Sequence, residues 1–236
     1  MRRGGSYRLR FRWRDRGAAR SLSVEVPADR YREARTAERT LGETFRAALE
    51  DDLAGSVARA LATRLDAAGV DTAGGRLRGA LAFVRSLPYA TDAGSTGAVE
   101  YPRYVPETLV DCEGDCEDYA ALLAGVLAAP PFDCDPALVI LPGHAAVGVA
   151  PDAPGVGADA GGDAVATVRA GGREYVYLDA TYDHPIGTLP ASEHGREVVA
   201  VHDGRWRLGD PGAMIEHVGG AVDSGVSLDP PASARR

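Results

Sequence analysis

The chain lacks three residue types: lysine, asparagine and glutamine occur nowhere among its 236 residues. Without lysine, the protein forms no Schiff base with a substrate and has no lysine general base. Without asparagine and glutamine, no side-chain amide completes a catalytic triad or donates to an oxyanion. These roles, where they exist, fall to other side chains or to main-chain groups.

Long apolar runs are missing as well. The longest candidate, residues 120–129, is far shorter than the ~18 residues that span a bilayer. The charged first residues precede no apolar segment, so we expect no signal peptide and a cytoplasmic location. Three cysteines are an odd number and do not make a disulfide framework. Cys112, Cys116 and Cys134 are each a thiol, a ligand or a buried residue.

The charge balance is acidic. The 34 acidic residues outnumber the 26 basic ones, which gives a net charge of −8, and this argues against broad nucleic-acid binding. The N-terminus is a local exception that could bind nucleic acid or an acidic partner, although a solvated strand face is the simpler interpretation. We expect neither a membrane nor a nucleic-acid partner. The clustered arginines are Arg2, Arg3, Arg8, Arg10, Arg12, Arg14 and Arg16.

Hydropathy periods predict the fold class. Alternation at residues 7–13 and 22–26 predicts a hairpin, and apolar residues at steps of four predict one long helix over 31–68. Further helices are predicted over 77–87 and from Asp115 or Cys116 to 129. Helices followed by strands, without βαβ alternation, predict an α+β fold with helices packed on an antiparallel sheet. The predicted strands cover 138–141, 144–150, 164–170, 174–179 and 197–201.

These elements divide the chain into three regions. Residues 1–70 are predicted to form an accessory hairpin and helices, residues 71–210 the core, and residues 211–236 a partly disordered tail. The stretch 151–162 is rich in Gly, Ala and Asp, which is typical of a mobile insertion in a hairpin.

The most informative stretch is Glu113–Ala120. Gly114 allows a sharp turn, Asp115 is placed to cap a helix, and Asp118 three residues later can complete a capping-box-like pair. Cys116 then lies in the first turn, where free amides and the helix dipole favour a thiolate and can stabilise an oxyanion. The acidic neighbours, Glu117 among them, oppose a thiolate. A small buried cysteine under an ordinary cap is therefore the alternative.

A thiol nucleophile needs a base and a group that orients the base. His144 opens an apolar strand after Pro142-Gly143, and Asp179 ends the strand that begins near Glu174. Each has an alternative role, as a core or loop histidine and as a turn cap. His184, close to Asp179 in sequence, is a second choice as base.

Three motifs together resemble the transglutaminase-like superfamily of cysteine proteases and amide-processing enzymes. They are Gly114-Asp-Cys-Glu-Asp118, Gly143-His144 and Tyr177-Leu-Asp-Ala-Thr181. The upstream segments 83–89, 100–104 and 107–109 are similar to the archaeal and bacterial branch of that superfamily. The resemblance covers about 77–201 well and the N-terminus weakly.

The resemblance implies a papain-like core with a catalytic triad. Cys116 would be the nucleophile, His144 the base and later the acid, and Asp179 the orienting group. A thioester would form from an amide bond of a peptide or protein substrate, without a cofactor, and water or an amine would resolve it. Hydrolysis is favoured over transfer. The Cys116 amide would stabilise the oxyanion together with an aromatic hydroxyl, another amide or a Trp, and Tyr101 and Tyr104 are candidates by position.

Two other classes remain open. Folds of this kind also serve as catalytically silent binding modules. Alternatively, Cys112, Cys116, Cys134 and His144 offer the ligand types of structural zinc, although no Cys-x-x-Cys pair is present. The acidic run 111–118 lacks the residue order of a calcium loop, so we expect no metal.

Overall fold

The computed structural model describes residues 5–156, 165–188, 198–208 and 216–218. The chain opens with the predicted hairpin, in which β1 (Ser6–Asp15) pairs antiparallel with β2 (Ala18–Pro27). Alternate residues of both strands are buried, as expected when one face of a two-stranded sheet covers a core. The rings of Phe11 and Phe83 pack edge to face, with their centroids 5.4 Å apart, and this contact attaches the hairpin to the rest of the protein.

The prediction of one long helix over 31–68 was wrong, because the region forms three helices. Thr40 accepts a hydrogen bond from the Glu43 amide, and Asp51 accepts one from the Leu53 amide. Such side-chain caps satisfy amides at a helix start and so favour a new helix there. The helices are α1 (Ala28–Thr36), α2 (Leu41–Leu49), α3 (Asp52–Asp66), α4 (Ala73–Val84), α5 (Asp92–Ser95), α6 (Val105–Asp111) and α7 (Cys116–Ala128).

A mixed helix and sheet composition and a seven-stranded antiparallel sheet confirm the predicted α+β class. The predicted strand near 197–201 forms at 200–202, and residue 197 lies outside the described part. The strands are β3 (Pro136–Leu141), β4 (His144–Val149), β5 (Val165–Ala170), β6 (Arg173–Leu178), β7 (Ala200–His202), β8 (Trp206–Leu208) and β9 (Glu216–Val218). Their order in the sheet is β8-β7-β3-β4-β6-β5-β9.

One hydrophobic core joins the hairpin, the helices and one face of the sheet. Helix α7 packs against β3 and β4, and it is buried on nearly every side from Asp118 to Leu127. A second apolar cluster, which includes Val139 and Tyr177, lies within the sheet. The division of the chain at residue 70 stays a prediction, since helices from both sides of it contact α7.

Two predicted segments fall largely outside the described residues. These are the insertion at 151–162, of which the structure describes the first six residues, and the tail at 211–236. Strand β9 lies within that tail region and pairs with β5 at the sheet edge, a pairing that the sequence did not predict. No helix in the described ranges has the length and apolarity needed to cross a membrane.

Candidate active site

Cys116 occupies the first turn of α7, where the sequence predicted it. Asp115 is the N-cap residue, and its amide donates to the Asp118 carboxylate at 3.3 Å. Gly114 is required by the close packing of this turn, because a Cβ at that position would lie 2.8 Å from the Asp118 Cβ. The helix start therefore holds Cys116 in one position relative to the sheet.

The sheet brings His144 and Asp179 together. His144 begins β4, Asp179 follows β6, and the two strands are antiparallel neighbours. The start of one strand therefore lies beside the end of the other. The turn before His144 uses Gly143 with a φ of 74°, a conformation that glycine adopts without strain. The His144 Nε2 and an Asp179 carboxylate oxygen are 3.4 Å apart.

Asp179 is buried and held as a carboxylate. The amides of Thr181 and Tyr182 donate to one of its oxygens at 2.8 and 2.9 Å. Burial alone would raise the pKa of Asp179. The nearby His144 and the hydrogen bonds from these amides outweigh that effect, and the pKa lies below its usual value. Arg85 donates to the Asp179 carbonyl oxygen at 2.6 Å, which fixes the main chain behind the carboxylate.

Cys116 and His144 line the same pocket, which has a volume of about 360 Å³. The helix start and its loop supply one wall, and the turn between β3 and β4 supplies the other. Asp179 lies behind His144, outside the lining. The remaining lining residues are Leu41, Tyr89, Thr91, Asp92, Ala93, Val99, Glu100, Asp115, Glu117, Ile140, Leu141, Gly143 and Ala145.

The Cys116 thiol is held by a carboxylate. Its Sγ donates to a Glu117 oxygen at 3.2 Å. Burial raises the pKa of the Cys116 thiol, and the charge and hydrogen bond of Glu117 raise it further. A hydrogen bond from the Ala145 amide acts in the opposite direction. The resting form of Cys116 is therefore the neutral thiol, because burial and the acidic neighbours together outweigh the helix dipole.

Replacing Glu117 by glutamine is expected to make Cys116 more reactive. The change removes a negative charge next to the sulfur, so the pKa of Cys116 falls. Below the wild-type midpoint more thiolate is then present, and alkylation is faster. The measurement is the iodoacetamide alkylation rate of each cysteine against pH, read by peptide mass spectrometry.

Glu113→Gln is the matched control for this variant, because Glu113 lies on the loop that leads into α7 and its side chain is 38% exposed. It removes the same charge without a contact to the sulfur. Equal Cys116 alkylation rates in Glu117→Gln and the wild type at every pH would contradict a carboxylate-held thiol.

Asp115 is a second unusual carboxylate of the pocket. It is 7% exposed, and its Oδ1 has no hydrogen-bond partner. Burial raises the pKa of Asp115 to about 8, with a further contribution from Glu117. Asp115 is therefore largely protonated at neutral pH, next to an acceptor on Glu117.

Asp115→Asn is expected to remove a pH dependence of stability. The folded-state pKa of about 8 exceeds an unfolded value of about 3.9, so the folded protein holds this proton more tightly. Wild-type stability therefore decreases as pH rises from about 4 to about 8. Asparagine resembles the protonated acid and remains a good N-cap.

The variant should thus be more stable than the wild type above pH ~8 and lose this advantage towards pH ~4. Thermal unfolding across that range measures the difference. Asp71→Asn, an exposed change, is the control and should leave the profile unchanged. A difference between Asp115→Asn and the wild type that does not vary with pH would contradict the assignment.

The sequence analysis missed Arg103, which is 2% exposed beneath the helix start. Its main-chain amide and its guanidinium both donate to Asp118, at 2.6 and 2.7 Å. The guanidinium also donates to Ser95 at 2.7 Å and lies 3.6 Å from Asp92. A buried carboxylate such as Asp118 needs a cation or several hydrogen-bond donors. That requirement is the signal that could have identified Arg103 from the sequence.

The structure does not bring Tyr101 and Tyr104 to Cys116. The Tyr101 hydroxyl donates to Glu107 at 2.8 Å, and the Tyr104 hydroxyl donates to the Glu38 carbonyl at 2.7 Å. Both rings instead pack near Arg39. Because of these contacts, neither hydroxyl lies where it could stabilise an oxyanion at Cys116, so this prediction was wrong.

Two other tyrosines border the site. Tyr89 lines the pocket and forms a parallel bridge with Gly114. Burial raises the pKa of Tyr89, and the next largest contribution is the charge of a Cys116 thiolate, because the two groups are close. The Tyr182 ring lies 5.8 Å from the His144 ring and is half exposed.

Metal ligation by cysteine and histidine finds no support. Cys134 is buried and its Sγ contacts the Phe132 carbonyl, whereas Cys112 contacts the Leu109 carbonyl. Within the described ranges, the groups of ligand atoms that lie within 4.8 Å of one another consist only of carboxylates. The proposed zinc set of Cys112, Cys116, Cys134 and His144 therefore does not come together.

The carboxylate groups are of the oxygen type that hard cations bind. One group combines Asp92, Glu100 and Glu117 at the pocket, and the other combines Asp92, Asp115 and Asp118. Arg103 already neutralises part of the second group.

His184, the second choice as base, does not line the Cys116 pocket. Its carbonyl accepts a hydrogen bond from Arg85, and its ring lies 6.2 Å from Tyr182. His144 is therefore the histidine next to the thiol in the described part of the chain.

The fold and site define an α+β protein with a cysteine at a helix start and a histidine–aspartate pair on the adjoining sheet. No protein-family model, curated protein or solved structure matches this chain.

Proposed function

We propose that this protein is a cysteine hydrolase that cleaves amide bonds through a Cys116-His144-Asp179 triad. One observation carries the proposal: Cys116 and His144 line one pocket, and the buried Asp179 carboxylate lies 3.4 Å from the imidazole. Nucleophile, base and orienting group in this arrangement are the requirements of nucleophilic catalysis. The resemblance to the transglutaminase-like superfamily, with its papain-like core, supports the same assignment.

The proposed reaction has two stages. His144 takes the proton from Cys116, and the sulfur attacks the carbonyl carbon of the substrate amide. A carbon–sulfur bond forms, the carbon–nitrogen bond breaks, and the imidazolium gives its proton to the leaving amine. Water, activated by His144, then hydrolyses the thioester and regenerates the thiol. Asp179 stabilises the imidazolium in both stages.

The carbonyl oxygen gains negative charge during the attack and needs donors. The Cys116 amide at the start of α7 is one, since the first amides of a helix have no partner within the helix. Tyr89 is the second donor in this proposal, because it lines the pocket and lies close enough to Cys116 for their charges to interact. Tyr89 thus takes the role that the sequence suggested for Tyr101 and Tyr104.

Tyr89→Phe is expected to lower kcat by about 10²-fold with little change in KM, because an oxyanion donor acts mainly in the transition state. Tyr104→Phe removes a hydroxyl that contacts Glu38 and should keep wild-type kinetics. The measurement is steady-state hydrolysis of a peptide that the wild type cleaves. A larger loss in Tyr104→Phe than in Tyr89→Phe would contradict the assignment.

The function itself is tested with a complex peptide library. The full chain is incubated with the library, with and without a primary amine, and products are identified by mass spectrometry. We expect new termini that depend on Cys116 and, at high amine concentration, amine adducts at the same carbonyl groups. Intact-mass analysis should show an acyl group on Cys116. No cleavage, no amine adduct and no acyl group on Cys116 would refute the proposal.

A catalytically silent binding module is the second candidate. The observation that favours it is the environment of Cys116: burial of the thiol and its hydrogen bond to Glu117 raise its pKa and keep it protonated. This candidate predicts that Glu117→Gln increases Cys116 alkylation but produces no cleavage of the library. The hydrolase predicts Cys116-dependent products from the wild type.

A further inference from the structure

The exposed face of β1 carries an unusual row of charge. Arg8, Arg10, Arg12 and Arg14 are all exposed and alternate with residues of the buried face. Side chains two residues apart on a strand are separated by about 6.8 Å, so the four guanidinium groups form one line. We call this line the arginine ridge.

The neighbouring strand does not neutralise the arginine ridge. The residues opposite Arg10, Arg12 and Arg14 on β2 are Ser23, Ser21 and Ala19, and only Arg8 faces an acidic residue. None of Arg8, Arg10 and Arg12 has a carboxylate of a described residue within 4.0 Å. The hairpin is therefore basic, although the whole chain has a net charge of −8.

The ridge continues towards the proposed active site. Arg14 and Arg16, at the tip of the hairpin, line a cavity of about 560 Å³. Arg78, Arg85 and His184 line it too, together with the acidic Asp15 and Asp183. This cavity lies against the segment that follows Asp179.

We propose that the arginine ridge is a docking surface for an extended acidic segment of a partner polypeptide. In an extended chain, carboxylates at every second residue repeat at about the same 6.8 Å spacing as the arginines. Each pairs with a guanidinium that has no carboxylate partner in the described structure, so charge complementarity defines the occupant. Among the described residues β1 pairs only with β2, so its other edge adds main-chain hydrogen-bonding groups for such a segment.

The ridge fits an acidic peptide better than a nucleic acid. Single-stranded nucleic acids bind where basic side chains are combined with aromatic stacking platforms. The aromatic rings of β1 lie on the opposite face, where Phe11 and Trp13 are buried and Tyr7 packs on Tyr31. The net charge of −8 also repels a long polyanion more than it repels a short acidic segment.

The test is binding of a fluorescent peptide in which glutamate and threonine alternate, measured by anisotropy with the full chain. A triple variant with Arg8→Ser, Arg10→Ser and Arg12→Ser should bind about tenfold more weakly, since several modest ion pairs are lost. The matched control replaces the exposed Arg32, Arg59 and Arg64 by serine. It removes the same charge elsewhere and should change Kd less than about twofold.

Affinity should fall when salt rises from about 50 to about 200 mM. The proposal is overturned if the peptide does not bind, if the control variant loses as much affinity as the ridge variant, or if an oligonucleotide or anionic vesicles bind the ridge as tightly as the peptide. Circular dichroism verifies that the ridge variant is folded. Cys116→Ala should bind the peptide like the wild type, so the outcome is independent of the proposed hydrolase activity.

Discussion

Replacing Cys116 by alanine is expected to abolish acyl transfer to the protein. With p-nitrophenyl acetate, an activated ester that reacts with most cysteine nucleophiles, the wild type should release a burst of nitrophenol and carry an acetyl group on Cys116. The alanine variant should show no burst, and its peptide hydrolysis should fall by at least about 10³-fold. The sulfur supplies the bond that holds the acyl group, and no other described side chain of this pocket is a comparable nucleophile.

His144→Ala should keep the thiol but slow the burst by about 10²–10⁴-fold, because proton transfer from Cys116 loses its base. Cys134→Ala is the matched cysteine control, since Cys134 is buried away from the pocket. Stopped-flow absorbance and intact mass provide the two readouts. A full burst in Cys116→Ala, or an acetyl group found on Cys112, would show that the nucleophile is misassigned.

Replacing Arg103 by methionine is expected to cost about 3–5 kcal/mol of unfolding free energy, the usual result of removing one partner from a buried ion pair. Asp118 loses the guanidinium at 2.7 Å, and Asp92 loses a cation at 3.6 Å. Both carboxylates remain buried. Urea unfolding followed by circular dichroism gives the free energy.

The double variant Arg103→Met with Asp118→Asn should recover part of this loss, because the second change removes an uncompensated charge. Arg39→Met is a comparison at a less buried arginine, whose partner is Glu107 at 3.1 Å and whose side chain is 14% exposed. It should cost less. A loss below about 1 kcal/mol for Arg103→Met would mean that the pair is worth no more than a surface salt bridge.

Both predictions concern the first turn of α7, which begins at Cys116. They separate the catalytic role of Cys116 from the structural role of the Arg103–Asp118 ion pair. Loss of Arg103 acts on stability through Asp118, because the Asp118 carboxylate accepts a hydrogen bond from the Asp115 amide at the start of α7. Loss of Cys116 removes one sulfur without removing a cap. Catalytic loss in a folded Cys116 variant, together with destabilisation of the Arg103 variant, would establish these two roles.

The sequence by itself determined the elements that follow from local chemistry. The alternation of β1 and β2 reflects a sheet with one buried face. In the structure Phe11 and Trp13 of β1 and the apolar residues of β2 are buried, whereas Tyr7 at the start of β1 is exposed. The start of α7 follows from Asp115, Cys116 and Asp118, because a cap acts over three residues. The approach of His144 to Asp179 did not follow from local chemistry, because it depends on β4 and β6 being antiparallel neighbours in the sheet.

Only the tertiary structure decided which distant side chains meet. Arg103 reaches Asp118 across fifteen residues, and Tyr89 lies beside Gly114 because two loops pair. Tyr101 is directed to Glu107 instead of to the thiol. Local patterns report which face of an element is buried, but they do not specify the partner across the core. That partner depends on how separate elements pack, so the tertiary contacts determined the support and the electrostatics of the site.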